Sequence, residues 1–368
     1  MTGFFVFGTL FRYFAKRFLG WVALCLIGLT AIVSLIQTVE LVRRVSVLKS
    51  DTGDVNFIAL ALLNIPTVME VVLPFAMLAG AMLCFNAWNK TNEFVVTRGF
   101  GYNIWISLSP AIASAMLVGL IFVVTINPIG SVTSPRYEQQ MDQLFGSSQN
   151  SLTVTAEGIW LQDQLEDRRL IIHGNALDPV SSSVINPMIY SFGPAGDMEW
   201  RIRADRMQLT DSGWQISAAH KWDNEGTHSE LGNHSLATGM NSLDLARSSS
   251  PPSSIAIFAL PTFIGVLERT GLPTVEHRIH LHQLLALPIL MVGIAMLGAR
   301  FTLTTVSRGK KMQLFTRGVL IASSIFIFGY FMQIIGLSLR VPAPVAGWAP
   351  AIIVFLAGAT SLARLDET

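Results

Sequence analysis

A glutamate and an arginine five residues apart sit in a short polar stretch, Trp88 to Gly101 (WNKTNEFVVTRGFG), wedged between two long apolar runs. Read as a helix, the stretch is amphipathic: Glu93 and Arg98 lie near its surface, and the aliphatic residues beside Phe94 and Thr97 seek a groove on a partner. Asn92 is placed to cap the helix and Gly101 to stop it. The chemistry on offer is recognition, with no bond made or broken.

A second constellation, Glu40, Arg43, Arg44 and Lys49, lies just past the end of the first apolar run. Guanidinium forks and a lysine point charge hold phosphate-bearing ligands well. The same residues could equally snorkel toward lipid headgroups. Both readings stand at this stage.

Other reactive groups are scattered. Glu70 is the acid well inside an apolar run, which suggests a proton path or a polar cavity wall, or else a helix kink that lifts it to water. His277, His280 and His282 cluster, but their spacing does not put all three on one helix face, so polar packing outweighs a metal site. The two cysteines, Cys25 and Cys84, fall within apolar runs and read as small packing residues. No GxxxxGK(S/T) phosphate loop, HExxH or GxSxG is present, so ATP hydrolysis, metalloprotease and serine hydrolase chemistry have no visible support.

The elements that position these groups belong to a membrane. Of 368 residues, 51% are hydrophobic and 13% charged, against about 25% charged in soluble domains. Six runs reach the ~20 residues that one crossing of a ~30 Å hydrocarbon core requires. They are Phe18–Val39, Phe57–Trp88, Ile104–Ile126, Leu281–Ala299, Gly318–Leu339 and Val341–Ala363. Pro66 and Pro74 predict a broken or kinked second run. Arg340 and two prolines predict a tight turn between the last two.

Orientation follows from Lys and Arg in the short loops. Arg12, Lys16, Arg17, Lys90, Arg98, Arg300, Arg308, Lys310, Lys311, Arg317 and Arg364 fall on one side; Arg43, Arg44, Lys49 and Arg340 fall on the other. Both termini are expected in the cytoplasm, with the large middle segment outside it.

That middle segment alternates apolar and polar residues between turn residues, as in SLTVTAEGIWLQ, RRLIIHG, VINPMIYSF, MEWRIRADRMQLT and GWQISAAHKW. The pattern predicts successive antiparallel strands in a β-sandwich or jelly roll. Arg136–Phe145 reads as a short helix before the first strand, SSSPPSS as a linker, and the amphipathic residues after it as an interfacial helix. The expected layout is residues 1–127 with three spans and a short cytoplasmic helix at 89–101, a β domain at 128–254, and an interfacial helix with three spans at 255–368. The fold class is thus an α-helical membrane protein of six transmembrane helices with an inserted β-jelly-roll-like domain.

Several segments, together spanning nearly the whole chain, resemble the lipopolysaccharide export permeases of the LptF/LptG family, and the LptG branch most. These are FGTLFRYFAKRFL at the N-terminus, LVRR after Glu40, and VMEVVLPFAMLAGAMLCFNAWNKTNEFVVTRGFG, which is similar to that family's xLPxAxLxGxxL element followed by its (S/N)ELVVMRxxG coupling helix. GIWLQD, EHRIHLHQLLALP and PAPVAGWAP fit as well.

The resemblance implies a non-catalytic permease subunit of an ABC transporter in the bacterial inner membrane. Two such permeases, LptF-like and LptG-like, would pair on two LptB-like ATPase subunits that hold the ATP and Mg; this chain itself would bind no cofactor. Together they would extract lipopolysaccharide and pass it through periplasmic jelly-roll domains to LptC and LptA. By the same resemblance Asn92, Glu93, Phe94, Arg98 and Gly101 would couple to the ATPase, and Gln37, Glu40, Arg43, Arg44 and Lys49 would meet lipopolysaccharide. Apolar faces of the first and fifth spans would line the lipid cavity and its gate. Two departures stand out: Gln37 occupies a place where some LptG members carry a ligand-contacting Lys, and Gly99-Phe100 replaces a small pair. The sister permease LptF and a membrane-anchored envelope sensor or assembly scaffold are the alternatives.

Overall fold

The computed structural model describes residues 8–48, 56–145, 151–155, 158–165, 168–178, 183–193, 197–210, 213–223, 227–238, 251–269, 273–303 and 311–366. Its helices, in order, are α1 (Thr9–Leu48), α2 (Phe57–Lys90), α3 (Glu93–Gly99), α4 (Ile104–Ile121), α5 (Asn127–Phe145), α6 (Leu260–Arg269), α7 (Val275–Leu303), α8 (Lys311–Leu337) and α9 (Ala343–Asp366). A π turn at Phe122–Ile126 fuses α4 to α5. Among the described residues six helices are long and apolar enough to cross a membrane, α4 with α5 counting as one. The chain divides into two compact units, residues 1–137 with 278–368, and residues 138–277.

In the helical unit α2 and α7 are central. About 61% and 67% of their apolar windows are buried, against 17% for α1 and 6% for α8. Buried residues on α2, among them Val72, Leu73, Ala76, Met77 and Leu78, follow one another around much of the axis, while Leu62, Val71 and Leu83 stay exposed. Glycine lets the backbones close up, since lipid supplies no hydrophobic force between helices. A Cβ at Gly80 would come within 2.6 Å of Val22 Cα, and one at Gly293 within 2.6 Å of the Phe355 nitrogen.

Two expectations change. Of a broken or a kinked second span the break does not occur: α2 runs through Pro66 and Pro74 as one 34-residue helix. Neighbouring helices hold its shape where each proline removes a backbone donor. Arg136–Phe145 is no separate helix either, because the π turn absorbs the extra residue and the third span continues through it into α5.

Among the described residues the second unit holds ten strands: β1 (Ser151–Thr155), β2 (Gly158–Leu165), β3 (Arg168–Gly174), β4 (Ala176–Asp178), β5 (Ser183–Ile185), β6 (Met188–Phe192), β7 (Met198–Arg203), β8 (Arg206–Thr210), β9 (Gly213–Asp223) and β10 (His228–Leu236). They form one antiparallel sheet in the order β1-β2-β3-β6-β7-β9-β8-β5-β4, with β10 also on β9. Strand β9 changes partner along its length. Residues 213–217 pair with β8 and residues 220–223 with β7. Ala218, at the changeover, has φ 54. An irregular residue there lets the strand bend from one half of the sheet to the other.

Alternation buries one face. Ile159, Leu161, Ile172, Ile189, Ile202, Met207, Trp214 and Ile216 form the core. Leu267 of α6 is fully buried in the same core and Phe263 packs against it. The helix expected to be interfacial thus also packs on the sheet, its Leu267 and Phe263 joining the β core. In the GIWLQD segment, the Thr238 hydroxyl donates to the buried Asp163 carboxylate, tying the chain after β10 to β2.

Candidate functional site

Helix α3 hangs from the end of α2, and aromatic packing anchors its root. Trp88 is 1% exposed. Its ring meets Phe14 edge-on at 4.6 Å and Phe85 at 5.1 Å, while Phe18 lies 5.9 Å from Phe85. Phe14, Phe18 and Val22 form a stripe at four-residue spacing that turns this face of α1 to α2.

Glu93, the first residue of α3, reaches back to α1. Arg17 Nη1 donates to Glu93 Oε1 at 2.5 Å and lies 3.0 Å from the Tyr13 hydroxyl, whose ring it also overlies at 5.9 Å. The Thr91 hydroxyl donates to the same Glu93 oxygen at 2.8 Å. The other oxygen, Oε2, is buried without a hydrogen-bond partner among the described residues. Arg17 therefore supplies the main neutralisation of this carboxylate.

The faces of α3 differ from expectation. Phe94 packs against the helical core and Thr97 is buried, whereas Val95, Val96 and Phe100 are exposed at 58%, 55% and 76%. Glu93 is turned inward by Arg17, so the outward face is apolar and Arg98 is half-buried at its edge. Asn92 does not cap: it adopts φ 57 and its side chain makes no cap hydrogen bond. The helix ends at Gly99, and Gly101 at φ +81 turns the chain away.

At the other end of α1, Glu40 gathers both arginines. Arg43 Nε donates to Glu40 Oε2 at 3.1 Å and Arg44 Nε to Oε1 at 3.0 Å. Both guanidinium groups stay open to the surroundings, with 74% and 66% of their side chains exposed. Two cations against one anion leave a net positive collar. Gln37 accepts a hydrogen bond from Asn64 of α2 at 2.8 Å and lines a small polar recess with Ser34, Thr38 and Tyr137. The structure thus brings Gln37, Glu40, Arg43 and Arg44 to one end of α1; Lys49 lies outside the described residues.

The 26 residues from Arg17 to Arg43 correspond to ~39 Å of helix, more than the ~30 Å hydrocarbon layer. One unbroken helix therefore carries both clusters. The remaining candidates do not converge. Glu70 is half-buried and makes no ion pair or side-chain hydrogen bond with a described residue. His282 accepts from the Trp348 indole at 3.3 Å, His277 packs on Phe263, and no described group of His, Cys, Asp and Glu could hold a metal.

Arg17, Tyr13 and Phe14 were not singled out as site residues from sequence. The available signal was RYFAKRF, whose aromatic and basic residues repeat at helical spacing. Their partner, 76 residues away, left no local mark.

The family model described as the lipopolysaccharide export system permease LptF/LptG matches residues 12–364. The chain belongs to this family. The match embraces both ends of α1, the α3 connection, the β unit and all six long helices, so this LptF/LptG chain is a multi-pass membrane protein and a transport component. The family match does not separate LptG from LptF. No curated protein matches the chain.

Proposed function

We propose that this chain is the LptG-type permease subunit of an ABC exporter that extracts lipopolysaccharide from the inner membrane. In this reading a separate ATPase related to LptB, carrying ATP and Mg, grips α3. An LptF-like permease packs on the exposed faces of α1 and α8, and the β unit is a periplasmic jelly roll that hands lipopolysaccharide to LptC and LptA. Both termini are cytoplasmic.

The observation that carries the proposal is the continuity of α1 between two functional clusters. Its first turns hold Glu93 through Arg17, and its far end presents the Glu40, Arg43 and Arg44 collar. Force applied to α3 acts on the same rigid rod that offers guanidinium forks to phosphate at its other end. Extraction of several acyl chains, at ~0.8 kcal/mol per CH₂, needs such an energy input. The low burial of α8 and α1 supports a second permease, since lipid-facing and partner-facing positions are both left open in a single chain.

Mild-detergent purification followed by subunit identification and lipid analysis tests the proposal. A stoichiometric ATPase, a second permease and bound lipopolysaccharide are expected. Purification of the chain with bound envelope ligand and without an ATPase would favour a sensor or scaffold.

A further inference from the structure

The face of the β sheet turned away from its core carries arginines, imidazoles and aromatic rings. Ile189 and Ile202 point into the core, so Tyr190, Arg201 and Arg203 beside them in β6 and β7 point out. Cross-strand register sets Trp222 of β9 between Arg201 of β7 and His228 of β10. The Arg201 guanidinium lies 5.3 Å from the Trp222 ring, and the His228 ring 5.1 Å from it on the other side. One row along, Arg203, His220 and Glu230 follow one another across the same strands, and His220 stacks on His228 at 5.5 Å. Toward β3, Arg169 overlies Phe192 at 5.6 Å.

Arg169, Arg201 and Arg203 are exposed, and none of them pairs with a carboxylate of a described residue. Among the described residues of these rows the acid is Glu230, which stands at the β10 end opposite His220. The face is therefore positive. Ring contacts hold the forks of Arg169 and Arg201, so less freedom is lost when their N–H groups grip a planar anion. Arg169 and Arg203 lie two strands and four residues apart, roughly 16 Å. One small anion cannot bridge that distance, so the forks call for an occupant with several acidic groups.

We propose that this face docks an acidic protein surface, whose Asp and Glu side chains are held by Arg169, Arg201 and Arg203. The arrangement of the rings selects a protein over a glycan. Trp222 is flanked on both sides by Arg201 and His228, so it offers an edge, whereas a sugar stacks on an open ring face. Half-buried Met188 and exposed Met198 share these rows. Aromatic residues, Met and Arg together are what protein interfaces enrich, while Lys is depleted there, and no described residue of these rows is a lysine. The surface lies on the face of the sheet, not along its open edges, and it does not depend on the transport reading.

The test places the photocrosslinker p-benzoylphenylalanine at Met198 of the full chain, in the cells that make it and with every subunit present. Crosslinks are mapped by peptide mass spectrometry. One discrete protein adduct is expected, its crosslinked peptide carrying Asp or Glu. Arg201→Glu with Arg203→Glu should lower that adduct about tenfold, and changing the partner peptide's carboxylates to Lys in that background should restore it. Should the reversal fail to fold, Arg201→Gln with Arg203→Gln, which removes charge from exposed positions, decides. The same probe at Gln208, exposed on the β8 half of the sheet, should not give the adduct. The proposal is overturned if Met198 gives no protein adduct, if Gln208 gives the same one, or if a folded arginine variant keeps it at native level. An adduct with a glycolipid, with a polysaccharide, with a second copy of this chain or with a peptide lacking Asp and Glu overturns it as well.

Discussion

Arg17 of the first span and Glu93 of the short connecting helix form an ion pair at 2.5 Å, with only 27% and 23% of their side chains exposed. The pair joins α3 to a helix other than the two it connects, so a push on α3 is shared with α1. Arg17→Ala should leave a partly buried carboxylate short of its main counter-charge. The cost lies between that of an exposed pair and a buried one, about 1–2 kcal/mol, or ~5- to 30-fold in coupling. Transport assays on proteoliposomes should show the loss with ATP hydrolysis retained, and the swap Arg17→Glu with Glu93→Arg should restore part of it. If Glu93 acts only by docking to a partner, the swap restores nothing.

The exposed residues of α3 are expected to carry partner binding. Val96→Asp or Phe100→Asp places a charge where the side chain is already open, so thermal stability should hold within ~0.5 kcal/mol. Copurification of the ATPase should fall sharply. Undiminished copurification with both variants would move the docking surface elsewhere.

Arg43 and Arg44 should contribute through charge. Reversal of both to Glu turns a net positive collar negative and should lower photocrosslinking to lipopolysaccharide several-fold, with the loss largest at low ionic strength. Crosslinking that is unchanged at every salt concentration would assign these arginines to lipid headgroup snorkelling.

Trp88 is the root of α3. Trp88→Ala removes a ring packed on Phe14 and Phe85 and should destabilise the helical unit by about 3–5 kcal/mol. Thermal unfolding in detergent, followed by tryptophan-independent far-UV dichroism, measures this directly.

Much of the architecture is legible along the chain because the bilayer imposes its own length and polarity rules. The six apolar runs correspond to the six long helices, and the quoted alternating stretches correspond to most of the strands. Strand β10 (HSELGNHSL) was missed because it is largely exposed and carries few apolar residues to alternate. Its place comes from pairing with β9. Helix α6 showed an apolar stripe that equally suits a lipid surface; only the open β core with Leu267 in it reveals the partner. Proline likewise read as a break or a kink in α2, but the helix runs on through both Pro66 and Pro74.

For the candidate site, sequence alone determined which residues are chemically unusual for their surroundings: an acid and a base in a short polar connector, and a basic cluster at the end of an apolar run. It also excluded a phosphate loop. Tertiary structure decided which way those residues face and what they touch. Glu93 turns inward because Arg17, far away in sequence, offers a counter-charge in a partly buried setting, while Val95, Val96 and Phe100 are left outside. Burial and pairing depend on groups brought together by folding, and a local pattern records only one of the two partners.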